Sequence, residues 1–457
     1  MSRSTWNLDQ LKSELSRRKE VKNWIITEEN VHRRERYFMA DGQHLMIDQD
    51  RNVHGRTISI RIFVHLPQPG RQGEITKKLF PSISLKTQID SAIESALQTD
   101  HQVWELPVEV PKEIPLRETT DPRMAEDLSQ VMTELTQRVQ KSVNKQRETT
   151  FNSAELFLSV HHRELHLSNG LTHRNSQSRI YTEAAFSYAK AKPNHQVQSD
   201  EYLTSQWAVH LDHLPIEKLF DEASENAQHS LDVVKPFTGK YAVLIDAEVL
   251  STLVHGQLSQ LSAGNSYNGL PFIKPGSEFI PSPSGDLMSI TLDPSLKFGA
   301  NTVSISDQGM IQAPLKLVEN NQVVATATDK QYGDYLNLKT TTVRGNLVIE
   351  PGTLTYQELT QYAPVVIEIL QFSGLFADPN SGTFSSEIRL ARLYDNQRRT
   401  IRYLKGGSLS GSVSDNFKGL RLSQSRVNRS HFSSESAFGQ GYFGPEHALL
   451  SEVSIVG

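Results

Sequence analysis

Beyond Lys240 the chain changes character, and no other feature narrows the fold as much. Eight apolar or alternating runs follow one another: Tyr241 to Ile245, Ser289 to Leu292, Leu315 to Val318, Leu347 to Ile349, Val365 to Leu370, Ile388 to Leu393, Ile401 to Leu404 and Val453 to Val456. Gly, Asn, Asp and Pro turns separate them. Many short strands with turn punctuation predict a large, mostly antiparallel, barrel-like β-rich domain over 235–457. One helix, Ala247 to Leu261, is expected near its start.

The front half alternates helix and strand. Asn7 caps a helix whose Leu8, Leu11 and Leu15 recur at helical spacing, and Trp24-Ile25-Ile26 opens an extended segment. Strands Arg36 to Met39 and His44 to Ile47 flank the turn Ala40-Asp41-Gly42. Ile58, Ile60 and Ile62 alternate with polar residues in a strand running to Leu66, and a helix over Leu85 to Leu97 closes this unit. Three prolines between Leu106 and Pro115 disfavour both helix and interior strand, so this stretch reads as a linker. After Asp121-Pro122, the stripe Met124, Leu128, Met132, Leu135 and Val139 predicts one long helix. Leu156 to Val160 then leads to the hairpin turn Ser168-Asn169-Gly170, Ala184 to Ala189 is a further strand, and Ile216 to Leu231 a helix. Strand, Gly-turn hairpin, strand, helix thus occurs twice. The expected fold is α+β: two small duplicated α+β units (1–105 and 121–234) joined by a Pro-rich linker (106–120), then the β-rich domain.

The 457 residues carry a net charge of −5, which gives no electrostatic reason to expect direct nucleic-acid contact. No apolar stretch is long enough to cross a bilayer, and the first ten residues hold no export-signal core, so no membrane role and a cytoplasmic location are expected. Cysteine is absent. That removes thiolate nucleophiles, iron–sulfur clusters and every zinc site with a sulfur ligand, and leaves His, Asp and Glu as metal donors.

The densest donor cluster is His161-His162-Arg163-Glu164-Leu165-His166. On a strand His162, Glu164 and His166 share one face as a two-His-one-carboxylate set; on a helix His162 and His166 stand one turn apart. The plainer reading is a solvated polar face of the hairpin. His210 and His213 precede Pro215 and belong to a loop. The serines Ser423, Ser425, Ser430, Ser433, Ser434 and Ser436 include no Gly-x-Ser-x-Gly elbow, and no phosphate-binding Gly loop is present. Arg398-Arg399 and Arg402 form a basic run on a predicted strand, expected at a solvated edge.

Several phrases recur together: Phe237-Thr-Gly-Lys-Tyr-Ala-Val-Leu-Ile245, His255-Gly-Gln-Leu-Ser-Gln-Leu-Ser-Ala-Gly264, Asp307-Gln-Gly309, Asn346-Leu-Val-Ile-Glu-Pro-Gly352 and Asn380-Ser-Gly-Thr-Phe-Ser385, with Leu167-Ser-Asn-Gly-Leu171 earlier and Val453-Ser-Ile-Val-Gly457 at the end. In this order they resemble the TldD/PmbA family over essentially the whole chain. The resemblance implies that TldD-like members are metallopeptidases, paired with TldE-like (PmbA-like) subunits that lack the metal site, with extended peptides bound between subunits. It also implies the family's genetic label, modulator of DNA gyrase.

In the catalytic branch a helix carries His-Glu, three further residues and a second His, and a C-terminal cysteine completes the metal ligands. Here His255 is present, Gly256 stands in place of the Glu, Gln260 in place of the second His, and the cysteine is missing. The glycine-rich loop before Asn346 is shortened to Val343-Arg344-Gly345, and Thr383 replaces an aspartate of the Thr-Gly-Asp-Phe-Ser phrase. The resemblance therefore implies a non-catalytic TldE-like subunit with no metal or other cofactor of its own, zinc residing in a TldD-like partner, and a peptide substrate. By analogy Arg344, Asn346 and Phe384 are the peptide-groove candidates. Two other readings stay open: an active peptidase with an unusual metal site at His162, Glu164 and His166, or a homodimeric peptide-binding scaffold.

Overall fold

The computed structural model describes residues 6–41, 44–191, 197–433 and 439–457. Gly42 of the first expected turn, and Ser434 and Ser436, lie outside them. Helix α1 (Leu8–Arg17) starts on a reciprocal cap: the Asn7 side chain accepts from the Gln10 amide, and the Gln10 side chain accepts from the Asn7 amide. Its Leu11 and Leu15 are fully buried, each such burial being worth roughly 1.5–3 kcal/mol. Strands β1 (Val21–Asp41), β2 (His44–His65) and β3 (Arg71–Leu79), helix α2 (Leu85–Leu97) and the short β4 (His101–Gln102) complete the first unit. The short strands read from the sequence are pieces of two long ones. The polar stretch Thr27–Glu35 is extended because β2 on one side and a later strand on the other both pair with its backbone.

The second unit has α3 (Pro122–Glu126), α4 (Leu128–Lys145), β5 (Thr150–Leu167), β6 (Thr172–Ala191), β7 (Val197–Ala208) and α5 (Ile216–His229). The single helix expected across Met124 to Val139 is broken. Asp127 leaves the helical region at φ −151°, and its carboxylate accepts from the amides of Ser129 and Gln130, so α4 begins anew. The apolar stripe survives the break: Met124, Leu128, Met132, Leu135 and Val139 share one core. Gly170, at φ +93°, makes the β5–β6 turn where a side chain would strain the backbone.

Both units run helix, three-stranded antiparallel meander, helix, and they abut through their first strands. β1 lies antiparallel to β5 from Ile25 opposite Leu167 to Met39 opposite Ser153. The order β3-β2-β1-β5-β6-β7 is therefore symmetric about that seam, as a local two-fold normal to the sheet requires. Ala154, Leu156, Leu158 and Val160 of β5 join the core built on α4 and α5, which leaves the odd-numbered side chains for the helix-free face.

The remaining elements are β8 (Val233–Val234), β9 (Gly239–Asp246), α6 (Ala247–Leu258), α7 (Ala263–Tyr267), β10 (Ile290–Asp293), β11 (Leu315–Glu319), β12 (Gln322–Val323), α8 (Lys330–Leu336), β13 (Asn346–Ile349), α9 (Tyr356–Thr360), β14 (Val365–Phe372), β15 (Phe376–Ala377), β16 (Thr383–Asp395), β17 (Thr400–Leu404), β18 (Ser408–Ser412), α10 (Val413–Asn416), β19 (Arg421–Leu422), β20 (Arg426–His431), β21 (Gln440–Pro445) and β22 (His447–Val456). Five of these strands close on themselves in the order β14-β9-β22-β18-β16 and back to β14, all antiparallel except β9 with β14. The fold is α+β and rich in strand, with a barrel-like sheet. Arg398 and Arg399 sit in the β16–β17 turn, Arg399 at φ +55°, and only Arg402 is on a strand.

Other strands of this region do not join the barrel. β10–β13, β20 and β21 continue the front sheet, and Ser430 of β20 opposite Trp207 of β7 joins the two halves into thirteen strands. The Pro-rich segment is not a free tether. Trp104 and Leu106 pack with Ile25, Phe63, Leu167 and Ile305, and Ser304 donates to the carbonyl of Pro115. Among the described residues no helix is long and apolar enough to cross a membrane.

Candidate functional site

The helix-free face of the front sheet, together with α6, β20 and β21, encloses a cavity of about 1410 Å³. Odd-numbered side chains of β1, β5, β6 and β7 line it on one side, and Glu248, Ser251 and Thr252 of α6 on another. Asp246 caps α6 by accepting from the Val249 amide at 2.9 Å, which fixes where the helix starts and so which turn meets the cavity. The crowding of the cavity wall, followed by the neighbouring Asp246 carboxylate, raises the pKa of the Glu248 carboxyl, although the side chain itself still meets solvent.

One turn further, His255 lies with Nδ1 3.1 Å from the Ser251 carbonyl oxygen and 3.3 Å from Ser251 Oγ. Burial pushes its pKa down to about 4, so the ring is neutral at pH 7, with Nδ1–H donating back into the helix. Gly256 is not forced by crowding: an added Cβ would meet only Pro379 Cα, at 3.8 Å. A β-carbon is tolerated at this position, but glycine supplies no carboxylate. Gln260 Nε2 donates to the carbonyls of Pro379 at 2.7 Å and Asn380 at 3.2 Å, and to Gln257 Oε1 at 3.0 Å. An amide nitrogen has no lone pair for a metal, and here it ties the β15–β16 loop onto the helix. Among the described residues no group of three or more His, Asp or Glu is placed to hold a metal ion. One imidazole with a glycine and a hydrogen-bonded amide does not fit zinc.

His162, Glu164 and His166 share a face, as a strand requires, but it is the face opposite the cavity; Glu164 Oε2 and His166 Nε2 come within 3.4 Å, yet the three do not form a metal-holding group. His162 Nδ1 is 2.7 Å from Ser176 Oγ; Glu164 accepts from Arg174 at 2.8 Å; His166, 4% exposed, has Nδ1 3.1 Å from Thr172 Oγ1. They form a polar ladder across β5 and β6. His210 caps a one-turn helix, Leu211–His213, that ends just before Pro215, and its ring lies against Phe298.

The groove candidates are also placed elsewhere. Arg344 pairs with Asp307 at 2.8 Å, and Asp307 also receives Arg163 at 2.9 Å. Burial alone would raise the Asp307 pKa, but the two guanidinium groups outweigh it and hold the carboxylate ionised. Asn346 is wholly buried: it donates to the Asp293 carbonyl at 2.8 Å and Thr302 Oγ1 at 2.9 Å, and accepts from the Asn301 amide at 2.9 Å. A Cβ on Gly441 would collide with its Oδ1. Phe384 belongs to the barrel core at 3% exposure. Asn346 is thus spent on holding the domain together, whereas Phe384, although packed in the barrel core, also borders a second, open pocket of about 620 Å³ with Phe376, Thr383, Ser410 and Asp415.

The cavity has a polar centre of its own, of which the donor cluster contributes only His161. Glu29, Ser159, His161 and Arg179 meet there, with His161 Nδ1 2.8 Å from Glu29 Oε1 and Nε2 3.1 Å from Ser159 Oγ. Beside them Phe157, Tyr181, Trp207 and Phe432 form a ladder of rings at successive centroid distances of 5.4, 4.7 and 5.4 Å, and the Arg179 guanidinium lies 4.6 Å from the Phe432 ring centroid. The signal was present in the sequence. Apolar Leu156, Leu158 and Val160 put the even positions of this strand on the core side, so His161 and not His162 faces the open side.

Residues 238–457 match the PmbA/TldA metallopeptidase C-terminal domain family. Three solved structures share the fold at low identity. TldE from Thermococcus kodakarensis is 13% identical with a TM-score of 0.76, covering 98% of each chain. A proposed modulator of DNA gyrase from Bacteroides thetaiotaomicron is 15% identical with a TM-score of 0.75, covering 98% of this chain and 97% of that one. Another from Thermotoga maritima is 18% identical with a TM-score of 0.71, covering 98% and 99%. No curated protein matches the sequence.

Proposed function

We propose, for a chain that belongs to the TldD/PmbA family through its C-terminal domain, the role of a TldE-like subunit that pairs with a TldD-like metallopeptidase and helps enclose its peptide substrate. Its family is metallopeptidase-related, and a TldE is among the proteins that share its fold. One observation carries the reading: the helix that bears His255 has Gly256, with no side chain, at the place of the base, and the turn that continues it spends Gln260 on the Pro379–Asn380 loop. Without a base or a second ligand this helix cannot activate water. The partner supplies zinc and base, and this chain contributes walls that hold an extended peptide in a productive pose. A cavity of about 1410 Å³ with polar and aromatic walls is large enough for several residues of such a peptide.

The test is reconstitution. Purified chain and a TldD-like protein carrying the intact His-Glu-three-His motif are mixed, and complex mass, metal content and cleavage of an unfolded peptide are measured. The expected result is a mixed complex in which chelator-sensitive cleavage needs the partner. Stoichiometric zinc and chelator-sensitive peptide turnover by this chain alone would overturn the proposal.

A further inference from the structure

The centre of the cavity has a geometry that the proposed partner role does not use. Ser159 and His161, two apart on β5, point to the same face, and Glu29 reaches His161 from β1. The Glu29 carboxylate is ionised: the hydrogen bond from His161 lowers its pKa more than burial raises it. An ionised carboxylate only accepts, so His161 carries its proton on Nδ1 and donates it to Glu29 at 2.8 Å. Nε2 is then left with its lone pair and accepts from Ser159 Oγ–H at 3.1 Å. Burial holds the imidazole below its usual pKa, which keeps it neutral. Hydroxyl, imidazole and carboxylate thus stand in the order and tautomer that nucleophile, base and orienting group need.

We propose that Ser159, His161 and Glu29 form a metal-independent acyl-transfer site acting on esters that carry an apolar or aromatic acyl group. Ser159 Oγ attacks the carbonyl carbon while its proton passes to His161 Nε2. The tetrahedral intermediate collapses, the C–O bond to the alcohol breaks, and the imidazolium returns the proton to the departing oxygen. Water then attacks the acyl-serine by the same relay, releasing the acid and restoring Ser159. Glu29 is a positioning residue that fixes the tautomer.

The oxyanion cannot use the backbone here, because Ser159 lies between β1 and β6 in an unbroken ladder. It has cations instead: Arg33 on β1 and Arg179 on β6 are the direct cross-strand neighbours of Ser159 and share its face. Burial lowers Arg179 only to about 10, so it stays charged. The acyl group is assigned to the ring ladder, because Phe157 precedes Ser159 by two residues on the same face and is continued by Tyr181 and Trp207. The competing account is a purely structural polar pair with Ser159 filling the free lone pair.

The isolated full chain is treated with a fluorophosphonate, the adduct is mapped by mass spectrometry, and hydrolysis of 4-nitrophenyl butyrate and 4-nitrophenyl phenylacetate is followed with and without chelator. The expected results are an adduct on Ser159, chelator-insensitive hydrolysis, and losses of about 100-fold or more in Ser159→Ala and His161→Gln. Glu29→Gln removes the group that raises the His161 pKa, so the acid limb of kcat/KM should move to lower pH as the rate falls; Arg33 and Arg179 also face this ring and act in the wild type and the variant alike. Labelling of wild-type protein does not depend on any variant folding. Absence of a Ser159 adduct, or hydrolysis unchanged in a folded Ser159→Ala protein, means the cluster is structural and overturns the proposal. Because the isolated chain is used, failure here leaves the partner role untouched, and failure of reconstitution leaves this site untouched.

Discussion

Gln260 shows how one side chain can replace a chemical role with a mechanical one. Its amide satisfies two loop carbonyls, so Gln260→Ala should cost about 1–3 kcal/mol by leaving them unpaired, measurable as a lower midpoint in urea. His255 makes a pH prediction. Its pKa is about 4 in the folded chain against 6.5 ordinarily, because burial disfavours the cation. Between these values the unfolded chain binds a proton that the folded chain does not. The contribution is fully present above pH 6.5 and is lost as the pH falls toward 4. His255→Gln should flatten that slope by at most about 1.4 kcal/mol per pH unit, read from denaturation curves between pH 4 and 6.5.

At the scale of elements, the break between α3 and α4 depends on a cap. Asp127→Ala should destabilise the second unit by about 1 kcal/mol. Asp121, just upstream, is fully buried and pairs with Arg123 while accepting from the Leu211 amide at 2.9 Å. Burial opposes its charge, but these hydrogen bonds outweigh it, and Asp121→Ala should cost about 1–3 kcal/mol by leaving the Leu211 and Arg123 amides without their acceptor, while the half-exposed Arg123 side chain keeps Asp212; the drop would be read as a lower thermal midpoint. The same elements mark what could be read from the chain alone. α2 was legible to the residue, and Leu315, Leu347 and Ile401 each flagged a strand, because apolar periodicity reports burial directly. The length of β1 was not legible, since residues 27–35 are polar and are held by neighbours distant in sequence. The helix expected over Ala247 to Leu261 is present as α6 to Leu258 with a one-turn 3-10 continuation that holds Gln260, and it was the family resemblance, not periodicity, that drew notice to His255, Gly256 and Gln260. The cluster at Glu29, Ser159 and His161 was missed, because its members come from two strands and only pairing register brings them together.

For the whole molecule, the controlling fact is that β22 pairs with β9 on one side and β18 on the other. Ile455 sits where both ladders meet and is 1% exposed. Ile455→Ala should cost about 2–5 kcal/mol, with hydrogen exchange accelerating in β9 and β18 together and far less in β5 and β6. β9 and β22 are separated by roughly 200 residues, and synthesis proceeds at about 5–20 residues per second, so β9 waits on the order of 10–40 seconds for its neighbour to be made. Throughout that interval the nascent barrel has an open edge and an uncovered core. An unpaired edge of that kind is a template for other strands, so a chain cut off before β22 should aggregate or be degraded where the full chain is not.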